Sequence, residues 1–345
     1  MKRVAEGISI VLYKENALQN QMQDRFCDLT KWHAERRNDL QILWLFRAMI
    51  FSALLSLLLT PFDFRVAARL GAIDIPRDGR RMHKHPVPRL GGLSVYFAFL
   101  ILTLLYGYEI APDLFYALAG AVLIVLVGVL DDELSLPPGL KFGVQCAAAF
   151  VSTLGGNVLQ ILRIGGKDLS LGAFSTPITV LFLVTLINAH NFIDGLDGLC
   201  AGVSLVESLA IGLISLSAPP LGYAAICFIL GGACIGFLPY NLRGARLFLG
   251  DTGSTFLGFM LAFLAVRAIR APLILMLVFS LPLADLVFAV LRRLSSGKNP
   301  LLPDRSHFHH LLADRIGARP ASKTLIFAST LAAIVGFLLY ETQLH

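Results

Sequence analysis

The sequence predicts an all-α, polytopic membrane protein with about ten transmembrane helices, and three observations support this fold class. Hydrophobic residues make up 56% of the 345 residues and charged residues only 15%, whereas soluble domains are roughly 25% charged. The mean hydropathy is +0.72. Apolar runs of about membrane-spanning length recur along the chain and are continuous, while the strands of a β-barrel would alternate between apolar and polar residues.

Ten apolar runs are predicted to cross the membrane in succession. The polar residues 1–40 are interpreted as an N-terminal extension of unknown role, and residues 41–345 as the integral membrane domain. The extension lacks an apolar segment, so no cleavable signal peptide is expected. The predicted spans are 43–60, 92–109, 112–130, 139–155, 174–190, 199–217, 221–238, 252–269, 271–290 and 323–340.

The connections between these runs alternate between polar loops and short or bland ones. Most of the Lys and Arg residues that follow the N-terminal extension lie in the polar loops, so the positive-inside rule places those loops in the cytoplasm. Ten spans would put both termini outside, yet the extension, although mixed in charge, carries many of the Lys and Arg residues, and the course of the first span stays open. Nothing in the net charge of +6 points to nucleic acid. The polar loops are 61–91, 131–138, 188–198, 239–251 and 291–322.

The first polar loop contains a basic, proline-stiffened segment, DIPRDGRRMHKHPVPRLGG at 74–92. A topology determinant in contact with anionic lipid would explain its early part equally well. Arg89 differs from the other basic residues because it lies between Pro88 and the glycine pair that opens the second span. Its planar guanidinium is predicted to bind a phosphate.

Adjacent carboxylates, Asp131 and Asp132, end the third span. Negative charge at a helix C-terminus opposes the helix dipole, so capping explains the pair badly. The start of a surface loop is the simple alternative. A divalent-metal or acid–base role is favoured, because paired carboxylates suit hard cations, and Lys141 follows at the start of the next span.

Four polar residues at intervals of three, Asn188, Asn191, Asp194 and Asp197, interrupt the apolar sequence at 181–202. Residues three apart share a helix face, so their side chains point the same way wherever the chain is helical. Tight Asp-Gly turns are the alternative. They account for single Asp-Gly pairs but not for the two preceding asparagines, so the cluster is interpreted as part of a site.

Asp251 begins the eighth span, within FLGDTGSTFLG at 248–258. It could serve simply as an N-cap. In the same geometry, the helix N–H groups would face a phosphate while Asp251 holds the metal of that phosphate.

The last motif runs from Asp285 to the histidines His307, His309 and His310. A carboxylate within an apolar run is costly, so Asp285 should have a partner. Zinc binding and a solvated histidine cluster are alternatives for the histidines. Contacts with a phosphate or sugar are preferred, because the surrounding sequence is basic and has no cysteine nearby.

These motifs together predict phosphoryl transfer at the membrane surface. Carboxylates beside a basic rim need an intermediary, and Mg²⁺ with a phosphorylated substrate supplies one. The surrounding apolar helices imply that the second substrate is a lipid.

Five motifs follow one another along the chain: PRLGG at 88–92, LDD at 130–132, NAHNFIDGLDGL at 188–199, FLGDTGS at 248–254 and PDRSHFHHLL at 303–312. In this order they strongly resemble the motifs of the polyprenyl-phosphate N-acetylhexosamine-1-phosphate transferases (glycosyltransferase family 4). Within that family, their form is closer to undecaprenyl-phosphate GlcNAc-1-phosphate transferases than to phospho-MurNAc-pentapeptide translocase.

The resemblance implies an enzyme of the bacterial cytoplasmic (inner) membrane with its active site facing the cytoplasm. It would transfer a HexNAc-1-phosphate from a UDP-HexNAc to undecaprenyl phosphate, release UMP, and use Mg²⁺ or alternatively Mn²⁺; a homodimer is one possible assembly. Asp251 matches the metal-binding carboxylate. The residues matching catalytic positions are Asp131, Asp132, Asp194 and Asp197. Those assigned to substrate binding are Arg89, Lys141, Asn188, Asn191, Arg305, His307, His309 and His310.

A different class, a transporter or flippase for nucleotide sugars or lipid-linked sugars, is the alternative. Transporters place ionisable groups near the bilayer midplane and often contain internal repeats. Here the acidic motifs lie at helix ends, and no repeat is visible. Whether a phosphosugar–aspartate intermediate forms, or the lipid phosphate attacks directly, stays open.

Overall fold

The computed structural model describes residues 42–75, 85–106, 112–217, 221–242, 244–295 and 307–343. The chain divides after Arg47 into two compact units, and the first is described only at residues 42–47. The N-terminal extension, the centre of the first polar loop and the predicted site residue Arg305 lie outside the described residues. Apart from the first residues of helix α1, all that follows concerns the second unit.

Helices account for most of the described residues, as the sequence predicts, so the all-α class is confirmed. Each of the ten predicted apolar runs overlaps a helix. The helices are α1 (Ile42–Leu70), α2 (Gly92–Tyr106), α3 (Pro112–Leu134), α4 (Pro138–Thr153), α5 (Ser175–Ile193), α6 (Leu199–Leu216), α7 (Gly222–Asn241), α8 (Gly250–Ala268), α9 (Pro272–Val278), α10 (Ser280–Ser295), α11 (Phe308–Ile316) and α12 (Ala318–Thr342).

Two small antiparallel strand pairs lie in the connections. The first joins β1 (Ile73–Asp74) to β2 (Val87–Pro88) and closes the base of the loop before α2. The second joins β3 (Ile161–Ile164) to β4 (Lys167–Ser170), with Ile161 opposite Ser170.

The protein is a multi-pass membrane protein, but the predicted count of ten spans is not confirmed. Among the described helices, six are long and apolar enough to cross a membrane: α1, α3, α5, α6, α7 and α12. Helices α9 and α10 together would make a seventh, although their axes meet at 90°. At 15 residues, α2 is shorter than a typical span.

The helices that carry the acidic motifs start or end at the same end of the structure, which gathers their polar loops there. Asp132 in the last turn of α3 bonds to residues at the start of α8, whereas Asp113 at the start of α3 bonds to Tyr223 at the start of α7. The guanidinium of Arg267, near the end of α8, lies over the Tyr223 ring, with 5.0 Å between its Cζ atom and the ring centroid. We call the end with Asp132 the site end and the end with Asp113 the opposite end.

Helix α8 is the central element, because almost every residue from Thr252 to Val266 is buried. A helix that is apolar all round is stable only when other helices surround it. It contacts α3, α5, α6 and α2. Gly258 allows α5 to pack closely against it, since a Cβ at this position would lie 2.6 Å from the Leu186 carbonyl oxygen. The first turn of α8 is therefore fixed against its neighbours.

Candidate active site

Two motifs far apart in the sequence pair through their backbones at the site end. The Gly91 and Gly92 N–H groups donate to the Phe248 and Leu249 carbonyls at 2.9 Å, and the Phe248 N–H donates to the Pro88 carbonyl at 2.9 Å. This pairing sets the first turns of α2 and α8 side by side. A side chain at Gly92 would clash with the backbone of Gly253, which accounts for the glycine there.

Asp132 caps the start of α8 from α3. Its Oδ1 accepts the Asp251 N–H at 3.0 Å. Its Oδ2 accepts the Thr252 N–H at 3.0 Å and the Thr252 hydroxyl at 2.7 Å. Gly250 must be a glycine, since its φ is +73° and a Cβ would lie 2.5 Å from Asp132 Oδ2. Asp132 thus fixes the backbone from which the Asp251 side chain projects.

Asp131 has different partners from its neighbour. The Lys141 ammonium donates to Asp131 Oδ2 at 2.9 Å and to Asp251 Oδ2 at 3.0 Å. The other oxygen of Asp131 accepts the Leu136 N–H at 2.7 Å. One cation therefore joins carboxylates from two motifs, with Asp131 at the end of α3 and Asp251 at the start of α8.

The side chains of the Asn/Asp cluster do not all point to the same place. The Asn191 amide donates to the Ser254 hydroxyl at 3.0 Å, beside Asp251. The Asn188 amide instead donates to Gln145 on α4 at 2.8 Å. The Asp197 carboxylate accepts two backbone N–H groups of the loop before α8, those of Gly244 at 3.1 Å and Ala245 at 3.0 Å.

Asp194 completes a crowded group of carboxylates. Burial raises its pKa well above the ordinary value of an aspartate, and the negative charges of Asp251 and Asp132 raise the pKa further. The positive charge of Arg89 acts in the opposite direction. Carboxylates that repel one another in this way are stabilised when a cation binds between them, so the arrangement favours a cation site.

The histidine motif is organised by Asp285, which confirms the prediction that this buried carboxylate has a partner. Its oxygens lie 2.7 Å from His307 Nδ1 and 3.1 Å from His309 Nδ1. A carboxylate accepts, so both Nδ1 atoms carry the proton. The buried Nε2 of His309 has no hydrogen-bond partner among the described residues. It faces Gly195, where a Cβ would lie 2.6 Å away.

The side chains of Asp285, His307 and His309 are also close enough to one another to hold a metal ion. Direct hydrogen bonds between the carboxylate and the two rings account for the cluster, so the zinc alternative is not needed to explain it.

A cavity of about 640 Å³ opens among these elements. Most of the predicted site residues line it, and Asp251 also lines a narrower cleft beside Asp131, Lys141 and Gln145. Asn188, His307 and His309 do not line the cavity; the His309 ring packs against His310, which does, with their ring centroids 4.2 Å apart. The predicted residues at its wall are Arg89, Asp132, Asn191, Asp194, Asp197, Asp251 and His310.

Sequence reasoning did not assign three further residues to the site. Arg319, at the start of α12, lines the cavity. Asn241 accepts the Gly198 N–H at 2.8 Å and donates to the Leu247 carbonyl at 3.0 Å, bracing two site loops. Asp285 was expected only to have a partner. The available signals were weak: a basic residue after the histidine motif, and an amide at the end of an apolar run.

Carboxylate and amide oxygens converge at the wall of the cavity, and this donor set is the one that Mg²⁺ prefers in proteins. Asp251, Asp194 and Asn191 are the residues that could hold such an ion. The Lys141 ammonium already lies between two carboxylates.

Comparison with known proteins gives the same family from two directions. Residues 114–269 match the model of the family described as Glycosyl transferase family 4. The Bacillus subtilis (strain 168) protein named probable undecaprenyl-phosphate N-acetylglucosaminyl 1-phosphate transferase is 32% identical over 273 residues, covering 77% of this chain and 76% of that protein. This chain belongs to glycosyl transferase family 4.

The matches to two other relatives cover a similar share of this family 4 protein. Decaprenyl-phosphate N-acetylglucosaminephosphotransferase of Mycobacterium tuberculosis (strain ATCC 25618 / H37Rv) is 34% identical, covering 72% of this chain and 70% of that protein. Undecaprenyl-phosphate alpha-N-acetylglucosaminyl 1-phosphate transferase of Escherichia coli (strain K12) is 32% identical, covering 80% and 79%. The resemblance inferred from the motifs is confirmed.

Proposed function

We propose that this family 4 protein transfers GlcNAc-1-phosphate from UDP-GlcNAc to undecaprenyl phosphate and releases UMP. The observation that carries the proposal is the meeting of Asp131, Asp194 and Asp251, from three separate helices, at one end of a set of apolar helices. The names of the relatives support the sugar phosphate and the polyprenyl acceptor. The positive-inside rule supports a cavity that faces the cytoplasm of a bacterial inner membrane.

The reaction exchanges one phosphorus–oxygen bond for another. An oxygen of the lipid phosphate forms a bond to the β-phosphorus of UDP-GlcNAc, the bond from that phosphorus to the bridging oxygen breaks, and UMP leaves. Such transfers depend mainly on positioning and on stabilising charge at the phosphoryl oxygens. The cavity volume falls within the range of roughly 300–1,000 Å³ typical of ligand pockets.

The side chains divide this work. Arg89 and Arg319 supply positive charge at the cavity wall for the donor phosphates. His310 lines the same wall. Asp131 borders the narrow cleft next to the apolar faces of α3 and α4, where the lipid phosphate would meet it. Asp132 is already bonded to three donors, so Asp131 is the better of the pair to act on that phosphate.

A magnesium ion, or Mn²⁺ in its place, is part of the proposal. When bound, it would neutralise the diphosphate oxygens and so favour attack by a second anion. Asp251, Asp194 and Asn191 would hold it. The position of the Lys141 ammonium supports this, because it lies where the carboxylates already attract positive charge.

The test uses purified protein in lipid nanodiscs with radiolabelled UDP-GlcNAc and undecaprenyl phosphate. We expect labelled lipid product and UMP in equal amounts, with both lost on adding EDTA and restored by excess Mg²⁺. A panel of UDP-HexNAc donors identifies the preferred sugar. The same protein is also reconstituted into proteoliposomes, where labelled donor that accumulates in the lumen without lipid product would contradict the proposal and indicate transport.

A further inference from the structure

A buried histidine–glutamate pair lies next to the site, and the proposed chemistry does not use it. His190 on α5 and Glu207 on α6 are both completely buried. Their atoms Nε2 and Oε2 are 2.7 Å apart. Glu207 falls in the middle of α6, which is one of the candidate membrane spans. An ionisable residue at such depth is costly, so it calls for a functional explanation as well as a partner.

The hydrogen bonds fix how many protons the pair holds. His190 Nδ1 lies 2.9 Å from the Leu186 carbonyl oxygen, which can only accept, so Nδ1 carries a proton. One further proton is shared between Nε2 and the glutamate. The pair is then either imidazolium with carboxylate or imidazole with carboxylic acid, and it is neutral overall in both states. Both ring nitrogens are engaged, so the ring cannot turn.

The pair holds the helix that carries two site residues. Asn191 is adjacent to His190, and Asp194 follows it by four residues, a rise of about 6 Å along a helix. His190 also packs against α8, since a Cβ at Gly258 of α8 would lie 3.1 Å from His190 Cβ. At His190, helix α5 is therefore fixed both by close packing on α8 and by the Glu207 bond, just before the turn that ends at Asp194.

We infer that Glu207 is a positioning residue: through His190 it fixes the rotation of the last turns of α5 and so the direction of Asn191 and Asp194. This inference rests on the proposed function. Without the Glu207–His190 bond, every cavity residue is still present, but α5 is free to rotate about its own axis. A displacement of about 1 Å at reacting groups costs up to about a hundredfold in rate.

The same bond also stabilises the fold, so a control must separate the two effects. Tyr223 and Asp113 form another buried polar pair, with exposures of 4% and 5%. They lie at the opposite end, about 27 Å along α3 from Asp131 at 1.5 Å per residue. Tyr223→Phe removes a buried hydrogen bond without altering the site end.

The experiment measures kcat per mole of folded protein, KM for UDP-GlcNAc and the thermal midpoint in nanodiscs. For Glu207→Met we expect kcat to fall about tenfold to a hundredfold with KM changed less than about threefold. Glu207→Gln should keep kcat within about threefold, since its amide N–H can donate to His190 Nε2. Tyr223→Phe should lower the midpoint and leave kcat unchanged.

Two results would overturn the inference: wild-type kcat in Glu207→Met, or a loss in Glu207→Gln as large as that in Glu207→Met. If Glu207→Met yields no folded protein, the double variant His190→Phe/Glu207→Met replaces both groups by apolar ones, which buried pairs often tolerate. Its kcat should be low, and a wild-type value would refute the positioning role. Absence of lipid product from the wild-type protein would instead reject the proposed function.

Discussion

The two ends of the helices solve the problem of polar groups beside a membrane in different ways. At the opposite end, Asp113 bonds to Tyr223, and Arg267 lies over the ring of that tyrosine. At the site end, among the residues that the structure describes, the carboxylates outnumber the cations Lys141, Arg89 and Arg319, and Arg89 is also paired with Asp74 at 3.1 Å. Packing alone does not require such crowding, so the excess negative charge distinguishes a site from a structural cluster. The crowded carboxylates are those of Asp131, Asp132, Asp194, Asp197 and Asp251.

The largest expected effect comes from neutralising Asp251, whose carboxylate lines both the cavity and the narrower cleft. Asp251→Asn should lower kcat by about 10²–10³-fold, because it removes charge that would hold the metal at the reacting phosphates. Asp113→Asn at the opposite end is the matched control and should leave kcat unchanged. Equal losses in the two variants, measured per mole of folded protein, would remove the distinction between the ends.

The second prediction concerns the cap that α3 supplies to α8. Asp132→Ala leaves two backbone N–H groups and the Thr252 hydroxyl without their acceptor. We expect a loss of about 2 kcal/mol in the free energy of unfolding, the upper range for a helix cap, together with reduced activity. Chemical denaturation of the reconstituted protein measures the stability. An unchanged unfolding free energy would show that the cap is dispensable.

The third prediction tests whether the close approach of the site carboxylates lowers the stability of the folded protein. The pKa of Asp194 is raised in the folded protein, so the folded state binds its proton more tightly than the unfolded state does. Stability is then lost as pH rises from the ordinary aspartate value through the raised pKa. In EDTA at neutral pH, Asp194→Asn should be more thermally stable than wild type, while its activity is lower. A variant less stable than wild type would contradict this.

The smallest effect is expected at the exposed hairpin of the opposite end. Arg163 and Asp168 form a hydrogen-bonded ion pair at 2.9 Å on the surface, and such pairs contribute little. Arg163→Ala should leave the thermal midpoint and kcat within experimental error of the wild type. A marked loss of activity would show that the opposite end also takes part in function.

The sequence was sufficient to predict where most helices lie and which loops meet. It was wrong at residues 61–70, which were predicted as loop but continue α1, and at the predicted span 271–290, which is divided between α9 and α10. Continuous apolar runs specify helices, and alternation of direction places every second loop at the same end. The division of roles within Asp131 and Asp132 was not predictable. It depends on the start of α8, which lies 119 residues further along the chain. Nothing local distinguishes two adjacent aspartates.

Tertiary contacts decided other details as well. Asn188 has the spacing of a site residue, yet it turns toward Gln145 on α4 because that helix packs against the face it occupies. Asp197 is used to hold a loop. The 90° bend between α9 and α10 has a local cause instead: Pro282, in the first turn of α10, has no N–H with which to continue the hydrogen bonds of α9. The apolar pattern runs through this point without a break and therefore predicted one span.

Lys141 has a consequence for how readily the proposed ion could enter. Lys141 bonds to Asp131 and to Asp251, and Asp251 is one of the two carboxylates proposed to hold the ion. Without this counter-charge Asp131 and Asp251 would repel each other and separate, and bringing them back would reduce the binding free energy of the ion. The lysine keeps Asp251 in place beforehand, so an arriving divalent ion meets a ligand that is already positioned. Little rearrangement of the backbone would then accompany each loading event.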